Sequence, residues 1–154
     1  VLLRLEGKEA QRYIKHELKD KDAKCFEVTD ASDANVDSYF NNLFASGRTL
    51  NSEEASYYDS NPNKYGTSDN ARVIDKYDLL TNNCVSKTIA GAKAGGSKNK
   101  FLQKRYYIST VSSIPVEYSV QPKSPKNLQQ YLQNCSQQKG STIKEVTDII
   151  NTQF

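Results

Sequence analysis

The residues best placed to do chemistry in this sequence are those of the segment Asn82-Asn83-Cys84. A short apolar run precedes them, and a helical pattern that ends in glycines follows, so we expect Cys84 to begin a helix with Asn82 or Asn83 as its N-cap. The unpaired N–H groups and the dipole at a helix start stabilise a thiolate and suit an oxyanion. The segment therefore indicates a nucleophilic cysteine. The alternative is a buried, inert thiol.

A cysteine nucleophile needs a base that takes its proton, and this base is normally a histidine. His16 is the only histidine of the chain, and it lies on the N-terminal side of Cys84 in a charged segment. Two interpretations stay open. Either His16 is the base by elimination, or the base lies upstream of Val1. Without catalysis, His16 is a surface histidine.

The eight residues from Tyr77 to Cys84, YDLLTNNC, carry a resemblance to a known family. They resemble the Y-x-L-L-x-N-N-C motif of permuted papain-like (NlpC/P60-type) cysteine hydrolases, which also occur at the C-termini of bacterial polymorphic toxins. The resemblance implies that Cys84 is the nucleophile and that Asn83 caps and positions the helix. It also implies a histidine that precedes the cysteine, although His16 lacks the Gly-His setting of that family.

The same resemblance implies a function. It points to a bacterial effector or toxin, secreted or delivered to a target cell, that cleaves an amide through a thioester on Cys84. The substrate would be a peptidoglycan peptide or a protein, and a cognate immunity protein would be a partner. The competing interpretation is a non-enzymatic or nucleic-acid-binding toxin or interaction module, which would use the basic and aromatic residues of segment 97–107.

The amino-acid composition argues against several classes of partner and cofactor. The 21 basic and 18 acidic residues nearly balance to a net charge of +3, which argues against nucleic acid as a partner. No apolar run reaches the roughly 18 residues of a membrane span. One histidine and three cysteines without a C-x-x-C pair argue against a zinc site, so we expect no metal and no cofactor. Cys25 and Cys135 are either paired or reduced, and the sequence leaves both open.

The length predicts a single domain over residues 1–154. Because the chain contains no methionine, we expect it to be a processed product or the C-terminal part of a longer polypeptide.

The pattern of helices and strands around Cys84 predicts an α+β fold. In this fold, a small antiparallel sheet packs against the nucleophile-bearing helix, and other helices flank it. Charged and polar stretches predict loops, over 17–24 and 48–76. Apolar spacing and capping signals predict the remaining elements. They are extended segments within residues 1–28, among them 1–5 and 24–28, a helix over 29–47, β structure in 101–120, a helix capped by Ser124 with Pro125 in its first turn, and a last helix that starts at a Thr142–Glu145 capping box.

Overall fold

The structure, a computed structural model, describes residues 1–19, 22–78, 82–99 and 122–153, and the backbone of strands 106–109 and 116–119. The fold is α+β, as predicted. The described helices are α1 (Gly7–Lys19), α2 (Asp33–Ser46), α3 (Ser52–Asp59), α4 (Pro62–Tyr65), α5 (Cys84–Ala94), α6 (Pro125–Ser136) and α7 (Thr147–Gln153), with a 3₁₀ turn at Ser68–Asn70. The described strands are β1 (Leu2–Leu3), β2 (Phe26–Val28), β3 (Ala71–Arg72), β4 (Tyr106–Ser109), β5 (Val116–Ser119) and β6 (Ile143–Glu145).

These strands pair in three two-stranded sheets, β1 with β3, β2 with β6 and β4 with β5. The β structure expected in 101–120 is confirmed for β4 and β5, and the rest of that segment lies outside the described residues. The chain divides into two compact units. Unit 1 comprises Val1–Phe26, Ser38–Tyr77 and Glu145–Phe154, and unit 2 comprises Glu27–Asp37 and Asp78–Lys144.

The interior of unit 1 is built around Phe44, which α2 buries. The guanidinium groups of Arg4 and Arg72 lie 4.5 and 4.6 Å from the centre of its ring. A cation over an aromatic face is attracted by the quadrupole of the ring, so the two guanidinium groups stabilise the packing around Phe44. Pairing of β1 with β3, with Leu2 opposite Arg72, brings the two arginine-bearing segments together.

Helix α1 is the main correction to the extended structure expected over residues 1–28. Its apolar residues Ala10, Tyr13, Ile14 and Leu18 recur at helical spacing, but the charges between them obscure that period in the sequence. The helix packs against α4, where the rings of Tyr13 and Tyr65 lie 6.4 Å apart. Tertiary contact therefore stabilises a helix whose apolar content is low.

The long loop expected over 48–76 is also wrong, because that segment contains α3, α4, the 3₁₀ turn and β3. Local signals explain the two helices. Asn51 and Glu54 form a reciprocal capping box at the start of α3, and Pro62 occupies the first turn of α4. Short polar helices of this kind carry little apolar periodicity, so composition alone favours a loop.

An ion pair at the start of α3 gives a prediction that can be tested directly. The two terminal guanidinium nitrogens of Arg48 each lie 2.7 Å from a Glu54 carboxylate oxygen, and the Asn51 N–H donates to the same carboxylate at 2.9 Å. These hydrogen bonds, chiefly those from Arg48, lower the pKa of Glu54 to about 2. We expect Arg48→Gln to raise the pKa of Glu54 toward the ordinary value of about 4.3, measured by NMR titration of its carboxyl carbon.

The matched control is Lys144→Gln, which removes a positive charge from an exposed residue of β6. Glu54 should keep a pKa of about 2 in that variant. A Glu54 pKa that stays the same in Arg48→Gln would show that the ion pair does not set it.

The capping box expected at Thr142–Glu145 is wrong as well. Residues 143–145 form β6, and α7 begins at Thr147. Backbone hydrogen bonds to distant residues explain the difference: the Thr29 N–H donates to the Thr142 carbonyl at 2.8 Å, and the Val146 N–H donates to the Cys25 carbonyl at 2.9 Å. Long-range pairing with the flanks of β2 therefore prevails over a local helix signal.

Candidate active site at the start of helix α5

Asn83 is the N-cap of α5. Its backbone is extended, with φ −133° and ψ −178°, and its Oδ1 accepts a hydrogen bond from the Ser86 N–H at 3.1 Å. The Asn83 N–H donates in return to the Ser86 hydroxyl at 2.9 Å, which completes a capping box. The expectation that Asn82 or Asn83 caps the helix is therefore resolved in favour of Asn83, with serine in the place that Glu or Gln usually takes.

Asn83 also connects α5 to the start of α6. Its side chain is buried, with 6% exposure, and its Nδ2 donates to the carbonyl oxygen of Lys123 at 3.1 Å. Ser124, the next residue, is the N-cap of α6 as predicted. The two helices contact one another, and Val85, Ile89 and Leu128 supply buried apolar side chains. Asn83 therefore fixes the chain on the N-terminal side of Cys84 from two directions.

Asn82 has a different role from the one expected. It forms an isolated antiparallel bridge with Asp78, in which the two backbone N–H groups and carbonyls exchange hydrogen bonds of 2.9 and 3.0 Å. The motif residues 79–81 lie outside the described residues. Asn82 thus contributes a backbone bridge next to Cys84, whereas Asn83 supplies the cap.

Cys84 is the first residue of α5, and its side chain is exposed. The alternative of a buried thiol is therefore wrong. Cys84 also accepts a hydrogen bond at its carbonyl from the Thr88 hydroxyl at 2.9 Å, which adds a contact within the first turns of the helix. An exposed thiol at the first position of a helix is accessible to a reagent or a substrate and lies beside the backbone N–H groups of the first turn.

The other two cysteines have different surroundings. All three cysteines lie within the described residues and are free thiols, and Cys25 and Cys135 are half-buried. Burial raises the pKa of the Cys25 thiol, which disfavours its reactive form. The three thiols therefore provide their own internal comparison in a reactivity experiment.

His16 lies on α1 in unit 1, with its side chain exposed, whereas Asn82, Asn83 and Cys84 belong to unit 2. Three of the four predicted site residues thus converge on the start of α5 within one unit. The fourth is carried by the other unit, on a helix that the sequence did not indicate.

Sequence reasoning missed the polar centre of unit 2, which is formed around Asp30. The Asp30 carboxylate accepts hydrogen bonds from the Ser97 hydroxyl at 2.8 Å, the Lys98 N–H at 2.9 Å and the Asn99 Nδ2 at 2.8 Å. Asn99 also donates to the Thr142 hydroxyl at 3.0 Å. The partners of Asp30 lie about 70 residues away in the sequence, and no short-range signal points to them.

An open cavity of about 430 Å³ lies beside this network in unit 2. Its walls include Asp30, Asn99, Tyr131, Cys135 and Thr142. These residues fall partly in the segment 97–107 that was proposed for binding. Residues 100–105 of that segment lie outside the described residues, so its nucleic-acid interpretation stays a prediction.

Within the described ranges, no group of three or more His, Cys, Asp or Glu side chains is arranged to hold a metal ion. No helix in the same part of the chain combines the length and the apolar character that crossing a membrane requires. Comparisons with protein-family models, with curated proteins and with solved structures find no match. The likeness to permuted papain-like hydrolases therefore depends on the residues of the Tyr77–Cys84 motif.

Proposed function

We propose that the protein is a cysteine-dependent hydrolase or acyl-transfer enzyme with Cys84 as its nucleophile. The observation that carries this proposal is the exposed thiol of Cys84 at the first position of α5, next to the buried N-cap Asn83. A rigid cap matters because a nucleophile must be held within a narrow range of positions relative to the carbonyl that it attacks. The Tyr77–Cys84 motif supports the same role.

In the proposed reaction, the Cys84 thiolate forms a bond from Sγ to the carbonyl carbon of an amide. The oxyanion that develops accepts hydrogen bonds from N–H groups in the first turn of α5, which α5 itself leaves unpaired. The carbon–nitrogen bond then breaks, and the amine leaves with a proton from the base. Water attacks the resulting thioester, the acid is released, and the thiol is regenerated.

The base is either His16 or a group outside this sequence. The resemblance further suggests a bacterial effector or toxin that is secreted or delivered to a target cell. A peptidoglycan peptide is the first substrate class, a protein is the second, and a cognate immunity protein is the expected partner. These assignments depend on the motif.

The experiment is the rate of alkylation by iodoacetamide near neutral pH, resolved by mass spectrometry for each cysteine. We expect Cys84 to react at least about tenfold faster than Cys25 or Cys135, because thiolate fraction and exposure govern the rate. Loss of that advantage in His16→Ala would identify His16 as the base, and an unchanged rate would place the base elsewhere.

Catalysis itself is tested by incubating the protein with peptidoglycan peptides and searching for a thioester adduct on Cys84. Cys84→Ser is the matched control, since a serine at this position should accumulate no thioester. A Cys84 thiol that reacts no faster than the two half-buried thiols in the native protein contradicts the proposal.

A further inference from the structure

Helix α1 separates its charges into two faces. Its carboxylates are half-buried and engaged within unit 1, where Glu9 accepts a hydrogen bond from Asn70 Nδ2 at 3.2 Å and Glu17 lies 3.5 Å from Lys64 Nζ. The cationic side chains Lys8, Arg12, Lys15 and Lys19 are all exposed. We call these four residues the basic face of α1.

Helical geometry aligns these four cations. At about 100° per residue, they fall within an arc of about 60°, and they span about 16 Å along the helix axis. Gln11 and His16 flank this arc, and Ala10 and Ile14 project from the opposite side, toward the interior of unit 1. The basic face is therefore a straight row of positive charge directed away from the packed side of the helix.

Several other cations of unit 1 have acidic partners close by. Arg48 pairs with Glu54, and Lys24 lies 3.1 Å from Glu145. By contrast, within the described ranges no carboxylate lies at ion-pair distance from Lys8, Arg12 or Lys19. The positive charge of these three residues is therefore not offset by an ion pair in the described part of the chain, although the chain as a whole carries a net charge of only +3.

We propose that the basic face of α1 binds the phosphate backbone of nucleic acid without sequence preference. A row of cations along one helix face complements a regularly charged polyanion, whose affinity can be supplied by phosphate contacts alone. The apolar residues of α1 are directed inward, and none of the exposed large hydrophobic residues in the described part of the chain lies on this helix. The face therefore lacks both an apolar wedge for a membrane surface and an apolar centre for a protein interface.

The test measures binding of the intact chain to a labelled DNA duplex of about 20 base pairs, by fluorescence anisotropy at several salt concentrations. Four phosphate contacts predict a slope of about −3.5 in the logarithm of the association constant against the logarithm of the salt concentration. Affinity should fall about 100-fold between 50 and 200 mM salt. Replacing all four residues of the basic face by glutamine should abolish this salt-dependent binding, and Arg12→Gln alone should reduce the slope by about 0.9.

The matched control replaces four exposed lysines of unit 2 by glutamine: Lys93, Lys126, Lys139 and Lys144. This variant has the same net charge as the basic-face variant and should retain most of the binding. Cys84→Ala should bind the duplex like wild type. The test of nucleic-acid binding is therefore independent of the test of the proposed enzymatic function. Equal losses in the two quadruple variants, or binding to phosphatidylserine vesicles in place of the duplex, would overturn the proposal.

Discussion

Replacing Asn83 by alanine is expected to lower the free energy of unfolding by about 3 kcal/mol. Loss of an N-cap costs about 1 kcal/mol, and a hydrogen-bonding group that loses its partner at a partly buried site costs about 1–3 kcal/mol. Asn83→Ala has both effects, since it removes the acceptor for the Ser86 N–H and the donor to the Lys123 carbonyl. The burial of Asn83 at 6% exposure makes replacement by water difficult. Urea unfolding followed by circular dichroism measures the effect.

Asn51→Ala is the matched control, because Asn51 forms the same kind of capping box at α3 but is exposed. We expect it to cost about 1 kcal/mol. Asn83→Asp should be intermediate, since it keeps the Oδ1 acceptor and loses the donor to Lys123. The interpretation of Asn83 as a link between α5 and α6 fails if Asn83→Ala costs no more than Asn51→Ala.

The second large effect concerns Asp30→Asn, which should lower the free energy of unfolding by about 2–3 kcal/mol at neutral pH. Hydrogen bonds to a charged group contribute about 1.5–3 kcal/mol each, and the variant keeps the shape of the side chain while it removes the charge. One oxygen of the carboxylate also becomes an NH₂ group, which opposes a donor such as the Lys98 N–H. The Ser97 hydroxyl, which is buried, would lose a charged acceptor.

The cost of Asp30→Asn should depend on pH in a defined direction. Burial alone would raise the pKa of Asp30, but hydrogen bonds from the Lys98 N–H and the Ser97 hydroxyl outweigh it and lower the pKa. A carboxyl whose folded pKa lies below its unfolded value of about 3.9 stabilises the protein fully above that value. This contribution is lost as the pH falls through the folded pKa.

The difference in stability between wild type and Asp30→Asn should therefore be constant above about pH 5 and should shrink below about pH 4. Unfolding curves at several pH values measure it. Asp33→Asn, at an exposed position in the first turn of α2, is the control for a general charge effect. A difference that does not change with pH would show that the charge of Asp30 does not contribute to the stability of the protein.

Local signals account for the part of the fold that could be predicted. The stripe of Val36, Tyr39, Phe40, Leu43 and Phe44 indicated α2, and side-chain caps indicated α5 and α6. These signals involve residues within about one turn of each other, so they need no knowledge of the rest of the chain. The start of α5, with Asn83 and Cys84, belongs to this class, and its position was predicted for the same reason.

The sequence predictions are wrong where contacts between residues distant in the sequence determine the local structure. Thr142 has the sequence of a cap, yet its hydroxyl contacts Asn99 and its carbonyl accepts from Thr29. Asp30 likewise binds residues about 70 positions away. Helix α1 was not predicted because charged residues interrupt the spacing of its apolar residues. Its row of cations was not predicted either, because only the net charge of the whole chain was considered. Net charge carries no information on how the charges are arranged.

The pairing of β2 with β6 also has a consequence for the order in which the protein acquires its structure. Thr29 and Thr142 are 113 residues apart, and Cys25 donates to Thr147 across 122 residues. Contacts with such large sequence separation form slowly, because closing the intervening chain costs entropy before the contact is gained. During synthesis, β2 lacks its partner until the residues of β6 have left the ribosome. Until then its edge stays open to pairing with other chains.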